Sequence, residues 1–208
     1  MASGSRAAGS QAALGFRAHS GWAALVAVAG PAAEPAAVLR RRVELSGLTP
    51  RQPFHAAQAL PIDTAEDLVR RATEEASALA ERAVRDALDE LRTRGHPVVA
   101  AGLLIAAGRP LPGLPQVLAS HALIHAAEGE LFRDALRRAG RACGLTLVDV
   151  RERELEGRAA RSLRRSPSAI QARLAQWGKA LGPPWTQDEK RAALVAWVAL
   201  SEAAGRAA

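Results

Sequence analysis

The stretch LGFRAHSGWAALVAVA, residues 14–29, decides the fold. It contains two apolar runs, 14–18 and 22–29, separated only by the tripeptide HSG at 19–21. Short apolar runs joined by a turn that contains glycine are typical of an antiparallel β-hairpin. A third extended run, 38–45, follows after a loop with two prolines. The three runs together predict a three-stranded antiparallel meander.

The chain that follows the meander alternates between helical and extended patterns. Apolar residues at helical spacing predict a long helix over 64–94, opened by a capping box of Thr64 and Asp67. The continuous apolar run VVAAGLLIA, 98–106, is typical of a strand buried on both faces. The remaining predicted elements are a helix over 116–142, a strand over 145–150, and a final helix from 186 to about 204 opened by Thr186 and Glu189.

The predicted order is therefore β-β-β-α-β-α-β-α. A helix that joins successive strands implies parallel crossovers, so we expect an α/β fold with a mixed sheet and helices on both faces. Residues 1–12 (MASGSRAAGSQA) are small and polar, which predicts a disordered tail. The length of 208 residues then favours a single domain over 13–206.

Composition narrows the class of protein. The sequence is 49% hydrophobic, which suffices for a sizeable core without metals or disulfides. Cys143 is its only cysteine, so no internal disulfide forms, as is usual in a reducing compartment. No apolar run approaches the roughly 18 residues that a membrane span requires. We therefore expect a cytoplasmic protein that does not enter the membrane.

The formal net charge of the chain is +7, and its positive charges come almost entirely from arginine. A basic surface attracts nucleic acid, whereas an arginine excess is also typical of a GC-rich coding sequence. Within the basic stretch 151–173, three arginines precede a Ser-Pro step and are candidates for phosphate contacts. The alternative is a solvated helix face. These candidates are Arg161, Arg164 and Arg165.

The order of elements resembles that of the ribonuclease-H-like superfamily, most of all RuvC-type Holliday-junction resolvases, over about 14–200. The resemblance implies a metal-binding Asp at the end of the first strand, a Glu in the fourth strand and acids near the start of the final helix. Here His19 or Ser20 stands at the first position, and VVAAGLLIA contains no acid. Asp188 and Glu189 are the nearest matches to the last acids. Two-metal cleavage needs several carboxylates, so we expect an altered site.

The segment SHALIHAAEGELFR, 120–133, carries the strongest candidate for chemistry. His121, His125 and Glu128 are spaced i, i+4 and i+7, which places them on one side of a helix. The helical period puts His121 and Glu128 in the middle of a buried apolar face. Two imidazoles and a carboxylate suit a divalent metal ion such as Zn²⁺, or a histidine that acts as acid or base and is oriented by Glu128. A hydrogen-bonded core network is the alternative.

Two loop histidines extend this candidate site. His19 lies at the end of the first strand, where the resemblance places the reaction centre. His55 lies in the loop before the first long helix. Both are expected to approach the helix that carries His121, so the predicted catalytic set is His19, His121, His125 and Glu128.

The leading hypothesis is a RuvC-like protein that acts on or binds structured nucleic acid, with a His/Glu pocket in place of the acidic site. If it cuts, water would be activated by a metal ion or by His121 oriented by Glu128. One rival is a non-catalytic binding or assembly module, and another is a small-molecule hydrolase that uses the same pocket. The charged surface of the helix 64–94 leaves a homodimer open, although a core helix is the simpler account.

Overall fold

The computed structural model describes residues 10–106 and 110–207. Within these ranges, five strands form a mixed sheet in the order β3-β2-β1-β4-β5. The strands β1, β2 and β3 form the predicted antiparallel meander, and β4 and β5 run parallel to β1. The strands are β1 (Ala12–His19), β2 (Trp22–Ala29), β3 (Ala36–Glu44), β4 (Val98–Ile105) and β5 (Thr146–Arg151).

Helices cover both faces of the sheet, which confirms the predicted α/β class. One face packs against α2 and α4, and the other against α5, α6 and α7. Among the described helices, none combines the length and hydropathy of a membrane span. The helices are α1 (Pro53–Ala57), α2 (Ile62–Thr93), α3 (Leu114–Leu118), α4 (His121–Ala142), α5 (Leu155–Leu163), α6 (Pro167–Leu181) and α7 (Gln187–Ala207), with a 3-10 turn at Glu152–Glu154.

Two glycines set the position of α7. Gly15 of β1 pairs with Gly102 of β4, and both face α7. A Cβ atom at Gly15 would overlap the carbonyl oxygen of Ala192, and one at Gly102 would overlap that of Val195. The backbone of α7 therefore lies directly on the middle of the sheet. Because side chains alternate along a strand, Arg17 also faces α7 near the end of β1.

The boundaries of the first long helix differ from the prediction. The capping box of Thr64 and Asp67 is wrong, because α2 begins at Ile62 with Pro61 as its N-cap residue. Asp67 instead forms an ion pair with Arg71 at 2.8 Å. Pro61 has no side-chain acceptor, so the first turn of α2 has no side-chain cap. Of the predicted disordered tail, residues 1–9 lie outside the described residues, and Ala12 already belongs to β1.

The predicted helix 116–142 is two helices. The chain leaves the helical conformation at Ser120, which separates α3 from α4. The Ser120 hydroxyl accepts a hydrogen bond from the Leu123 amide at 3.5 Å and so caps α4. His121 is consequently the first residue of α4 rather than a residue in the middle of a longer helix.

Candidate functional site

An ion-pair network, here called the arginine cluster, lies where the end of β1 meets the start of α7. It consists of Arg17, Glu152, Asp188 and Arg191. The Arg17 guanidinium contacts Glu152 through Nε at 3.0 Å and Nη2 at 2.9 Å, and it also pairs with Asp188. Arg191 pairs with the same Glu152 oxygen. Burial alone would raise the pKa of Glu152, but the two arginines outweigh burial and lower it.

His19 belongs to the surroundings of this cluster. Its ring stacks on Trp22 with centroids 4.3 Å apart, and the Arg42 guanidinium lies 3.8 Å from the centroid of Trp22. His19 Nε2 lies 3.1 Å from Asp188 Oδ1 but has no hydrogen-bond partner among the described residues. Burial, aided by the charge of Arg17 and opposed by that of Glu152, lowers the pKa of His19.

The structure does not bring His19 together with the other predicted pocket residues. His19 and Arg17 have the same parity on β1 and face α7, whereas α4 packs on the opposite face of the sheet. The sequence pattern did not reveal this difference, because both faces of β1 are buried. His19 accordingly contacts Trp22 and Asp188 and is not among the three imidazoles that converge, His55, His121 and His125, so its predicted place in one pocket with His121 stays a prediction.

The residues at the end of β1 do not suit the two metal ions that the resemblance implies. The Arg17 guanidinium lies between the two nearest carboxylates, Glu152 and Asp188, and pairs with both, and Arg191 also pairs with Glu152. Strand β4 carries no acid. Glu189 is also engaged, because its carboxylate accepts hydrogen bonds from the Thr186 amide at 2.7 Å and hydroxyl at 2.6 Å. This contact confirms the predicted capping box. The contacts of Arg17 use Glu152 Oε1 and Asp188 Oδ1, and a guanidinium held between these oxygens repels the hard divalent cations that carboxylates would otherwise bind.

Three imidazoles converge elsewhere, in what is here called the histidine cluster: His55 of α1 with His121 and His125 of α4. The Nε2 atoms of His121 and His125 are 2.9 Å apart. The ring of His55 lies 5.6 Å from that of His121 and 4.8 Å from that of His125, centroid to centroid. One nitrogen from each ring lies within 4.8 Å of the other two.

The predicted burial of His121 is wrong, and that of Glu128 is confirmed. His121 and His125 are exposed, because α4 begins at His121 and its first turn projects beyond the core. Glu128, two turns further on, is only 2% exposed. The helical period was therefore correct, but the new helix start changes what surrounds its first turn.

Glu128 holds the short helix α1 in place. Its Oε1 atom accepts hydrogen bonds from the amides of Phe54 at 2.9 Å and His55 at 3.0 Å, and from His55 Nδ1 at 3.2 Å. Helix α1 has no side-chain cap of its own, so Glu128 supplies one from a distant part of the chain. Burial raises the pKa of Glu128, and the hydrogen bonds offset part of that effect. Its Oε2 atom is buried without a partner among the described residues.

The cluster thus differs in membership from the predicted metal set of His121, His125 and Glu128. His55 is the third residue that converges, and Glu128 lies behind it as the acceptor for its Nδ1 atom. The sequence placed His55 only near this helix. Pro53 is a sequence signal for the start of the short helix that carries His55, but it does not indicate that this helix approaches α4.

The three candidate nucleic-acid-binding arginines lie toward the opposite end of the sheet from Arg17. Arg161 and Arg164 are exposed, and Arg164 ends α5 in the left-handed conformation with φ of 51°. Arg165 donates to the Ala33 carbonyl, in the loop between β2 and β3, at 2.7 Å. Arg165 is thus engaged with its own chain, while the other two point to solvent.

Comparison with known proteins rests on structure alone. Neither a protein-family model nor a curated protein matches the sequence. RuvC of T. thermophilus in complex with a Holliday junction substrate is similar, with a TM-score of 0.56 and 12% identity over 94% of this chain and 96% of that chain. A second Thermus thermophilus RuvC structure gives a TM-score of 0.55 and 13% identity over 94% and 97%. These likenesses confirm the ribonuclease-H-like, RuvC-like fold that the order of elements predicts.

Proposed function

We propose that this RuvC-like chain binds structured nucleic acid and does not cut it by two-metal chemistry. The observation that argues against two-metal cleavage is the ion pairing of Arg17 with both Glu152 and Asp188. A fixed positive side chain between the two nearest carboxylates takes the electrostatic role that a cation would have there. This ion pairing favours the binding hypothesis over the nuclease hypothesis.

Three features support binding. The net charge is +7, which favours association with a polyanion. One of the similar structures is a RuvC protein in complex with a Holliday junction substrate. Arg161 and Arg164 are exposed at the end of α5 and are available for phosphate contacts. We therefore assign these two residues to the proposed interface, and Arg165 to its support.

The test compares three double variants that each remove two positive charges. Arg161→Gln with Arg164→Gln removes the proposed phosphate contacts. Arg70→Gln with Arg85→Gln is the matched control, because both are exposed on α2 at the other face of the sheet. Fluorescence anisotropy with a four-way DNA junction, a duplex of equal length and a single strand is measured over a series of salt concentrations.

We expect wild-type protein to prefer the junction and its affinity to fall with salt. The slope of log affinity against log salt should decrease by about 2 in the Arg161/Arg164 variant and much less in the α2 control, as each lost phosphate contact changes the slope by roughly 1. Equal loss in both variants would show that only net charge matters. Absence of binding by wild-type protein at low salt would overturn the proposal.

A third variant tests the location of the interface. Arg42→Gln with Arg51→Gln removes two exposed charges near the end of β1, both of which pair with Glu44. A loss confined to this variant would move the interface to the Arg17 end of the sheet and contradict the assignment of Arg161 and Arg164. Incubation of the labelled junction with Mg²⁺ and with Mn²⁺ completes the test, and specific cleavage in either ion would contradict the absence of two-metal chemistry.

A further inference from the structure

The histidine cluster has the donors and the support of a metal site. We propose that His55, His121 and His125 bind one divalent transition-metal ion of the zinc class through three imidazole nitrogens, with Glu128 as a positioning residue. The histidine cluster lies on a different face of the sheet from the arginine cluster, and metal binding there does not rest on the nucleic-acid proposal.

The first reason for proposing a metal site is that the three histidines converge from two separate helices. His121 and His125 are one helical turn apart on α4, a spacing that places both rings on the same side of the helix. His55 reaches them from α1, which lies far away in sequence. In a tetrahedral site with zinc–nitrogen bonds of about 2.0–2.1 Å, the nitrogens are about 3.3 Å apart. The 2.9 Å separation of the two Nε2 atoms lies below this value and the 4.8 Å limit on all three nitrogens lies above it, so the proposed ligand set requires only rotations of the exposed rings of His121 and His125.

The state of the His55 ring is the second reason. Because Glu128 Oε1 already accepts two backbone amides, we assign it as the acceptor toward Nδ1 as well, which places the ring proton on Nδ1 and the lone pair on Nε2. A carboxylate behind a histidine ligand is the usual way in which proteins fix the tautomer of that ligand. The same carboxylate oxygen accepts from the backbone amides of Phe54 and His55, so the residue that carries the ring is fixed as well.

Ligand chemistry and access are the third reason. Imidazole nitrogens suit zinc and neighbouring transition metals, whereas magnesium and calcium prefer oxygen. Three protein ligands leave a coordination position open, the arrangement in which zinc lowers the pKa of a bound water to about 7. His55 also lines an open surface depression with Ser20, Arg51 and Gln52, so solvent reaches the cluster. Loaded with such an ion, the site has the components for hydrolysis.

The sequence provides a matched control, because the chain has five histidines. One double variant, His121→Gln with His125→Gln, removes two proposed ligands and keeps three histidines. The other, His19→Gln with His96→Gln, removes the two histidines outside the cluster and also keeps three. The substituted residues of the first variant are exposed, so we expect its fold to survive, and circular dichroism melts check both variants.

The measurement is binding of Zn²⁺ to tag-free, chelator-stripped full-length chain by competition with a chromogenic chelator at pH 7, with Co²⁺ absorption as a second readout. We expect one Zn²⁺ per chain and a tetrahedral-type Co²⁺ spectrum in wild-type protein. Affinity should fall at least about 100-fold in the His121/His125 variant and stay within about threefold in the His19/His96 variant. Glu128→Gln should weaken binding by about 10-fold or more, with stoichiometry unchanged.

Three results would overturn the inference. Wild-type protein that does not bind Zn²⁺ would make the cluster a surface feature without a ligand. Equal losses in both double variants would show that histidines bind the ion without a defined site. Undiminished binding in a folded His121/His125 variant would place the ion elsewhere on the chain.

Discussion

The arginine cluster and the histidine cluster both contain polar residues that bear on function, and they are built in opposite ways. In the arginine cluster, charged groups satisfy each other, with Arg17 between Glu152 and Asp188. In the histidine cluster, three imidazole nitrogens face one another and Glu128 binds the surrounding backbone. The comparison shows that the place where a fold resemblance locates chemistry and the place where donor atoms converge need not coincide.

The two clusters also depend on different parts of the fold. The arginine cluster exists because α7 lies directly on the glycine pair of β1 and β4. The histidine cluster exists because Glu128 joins α4 to α1. Perturbing one support should therefore damage one cluster more than the other, and the following predictions use that difference.

The largest loss of stability is expected where α7 packs on the sheet. Gly15→Ala adds one methyl group that overlaps the backbone of α7 at Ala192, and backbone cannot move aside as a flexible side chain can. We expect a loss of about 3 kcal/mol or more in the free energy of unfolding, measured by urea denaturation. Trp197, which is buried on α7, should become accessible to a fluorescence quencher at a lower urea concentration than that of global unfolding.

The same chemical change at another point on α7 is the control. A methyl group at Gly205 would meet no described atom within 4 Å, so Gly205→Ala should be neutral or stabilising by up to about 1 kcal/mol through helix propensity. If Gly15→Ala were as well tolerated as Gly205→Ala, the close approach of α7 to the sheet would be wrong.

The fold was predictable because it depends on local patterns. The HSG turn between two apolar runs specified the hairpin, and the unbroken run of β4 specified a strand covered on both faces. The long helices were predictable from apolar residues that repeat at helical spacing. What the period missed was the break at Ser120, because α3 and α4 are both helical and the cap is a single residue.

The candidate site was only partly predictable, since its membership depends on tertiary contacts. The helical spacing of apolar residues correctly placed Glu128 in the core. The hydrogen-bond partners of Glu128 are backbone amides of α1, which no sequence pattern connects to this residue. The sequence alone assigns no role to Arg17, because a single arginine in an apolar strand forms no motif whose spacing indicates a function. Its significance follows only from the approach of Asp188 on α7.

A smaller effect is expected where the histidine cluster is supported. Glu128→Ala removes the acceptor of three N–H groups, and we expect a loss of about 2–3 kcal/mol in a chelator-containing buffer. Glu128→Gln keeps one oxygen acceptor and should cost about 1 kcal/mol. Hydrogen exchange of the Phe54 and His55 amides should accelerate in the alanine variant ahead of global unfolding. Unchanged protection of these amides would contradict the capping role of Glu128.

The arginine cluster is more exposed, so its disruption should cost less. Arg17→Met leaves Asp188 without its guanidinium partner, and we expect a loss of about 1–2 kcal/mol at pH 7. A double-mutant cycle with Asp188→Asn isolates the coupling energy between the two residues. The parallel cycle on the exposed pair of Arg92 and Asp89 should give at most about 0.5 kcal/mol. Equal couplings would reduce the arginine cluster to an ordinary surface ion pair.

The smallest effect is expected in the loop that leads to His55. Burial would raise the pKa of Glu75 on α2, but hydrogen bonds from the Thr49 hydroxyl and from the amides of Leu48 and Thr49 outweigh it and lower the pKa to about 2. A carboxyl whose pKa is lower in the folded than in the unfolded chain stabilises the fold above its unfolded pKa, near 4.5, and this contribution is lost as the pH falls from there to about 2.

Glu75→Gln should therefore cost about 1 kcal/mol at pH 7, and the difference from wild-type protein should shrink steadily below pH 4.5. Urea midpoints at pH 7, 5, 4 and 3 measure this. Glu74→Gln is the control, because the neighbouring carboxylate is exposed and pairs with the exposed Arg70 in the same helix. A difference that stays constant with pH would show that shape, rather than the charge on Glu75, holds the loop. The loop that leads to α1 would then be tied to α2 in a way that acid does not release.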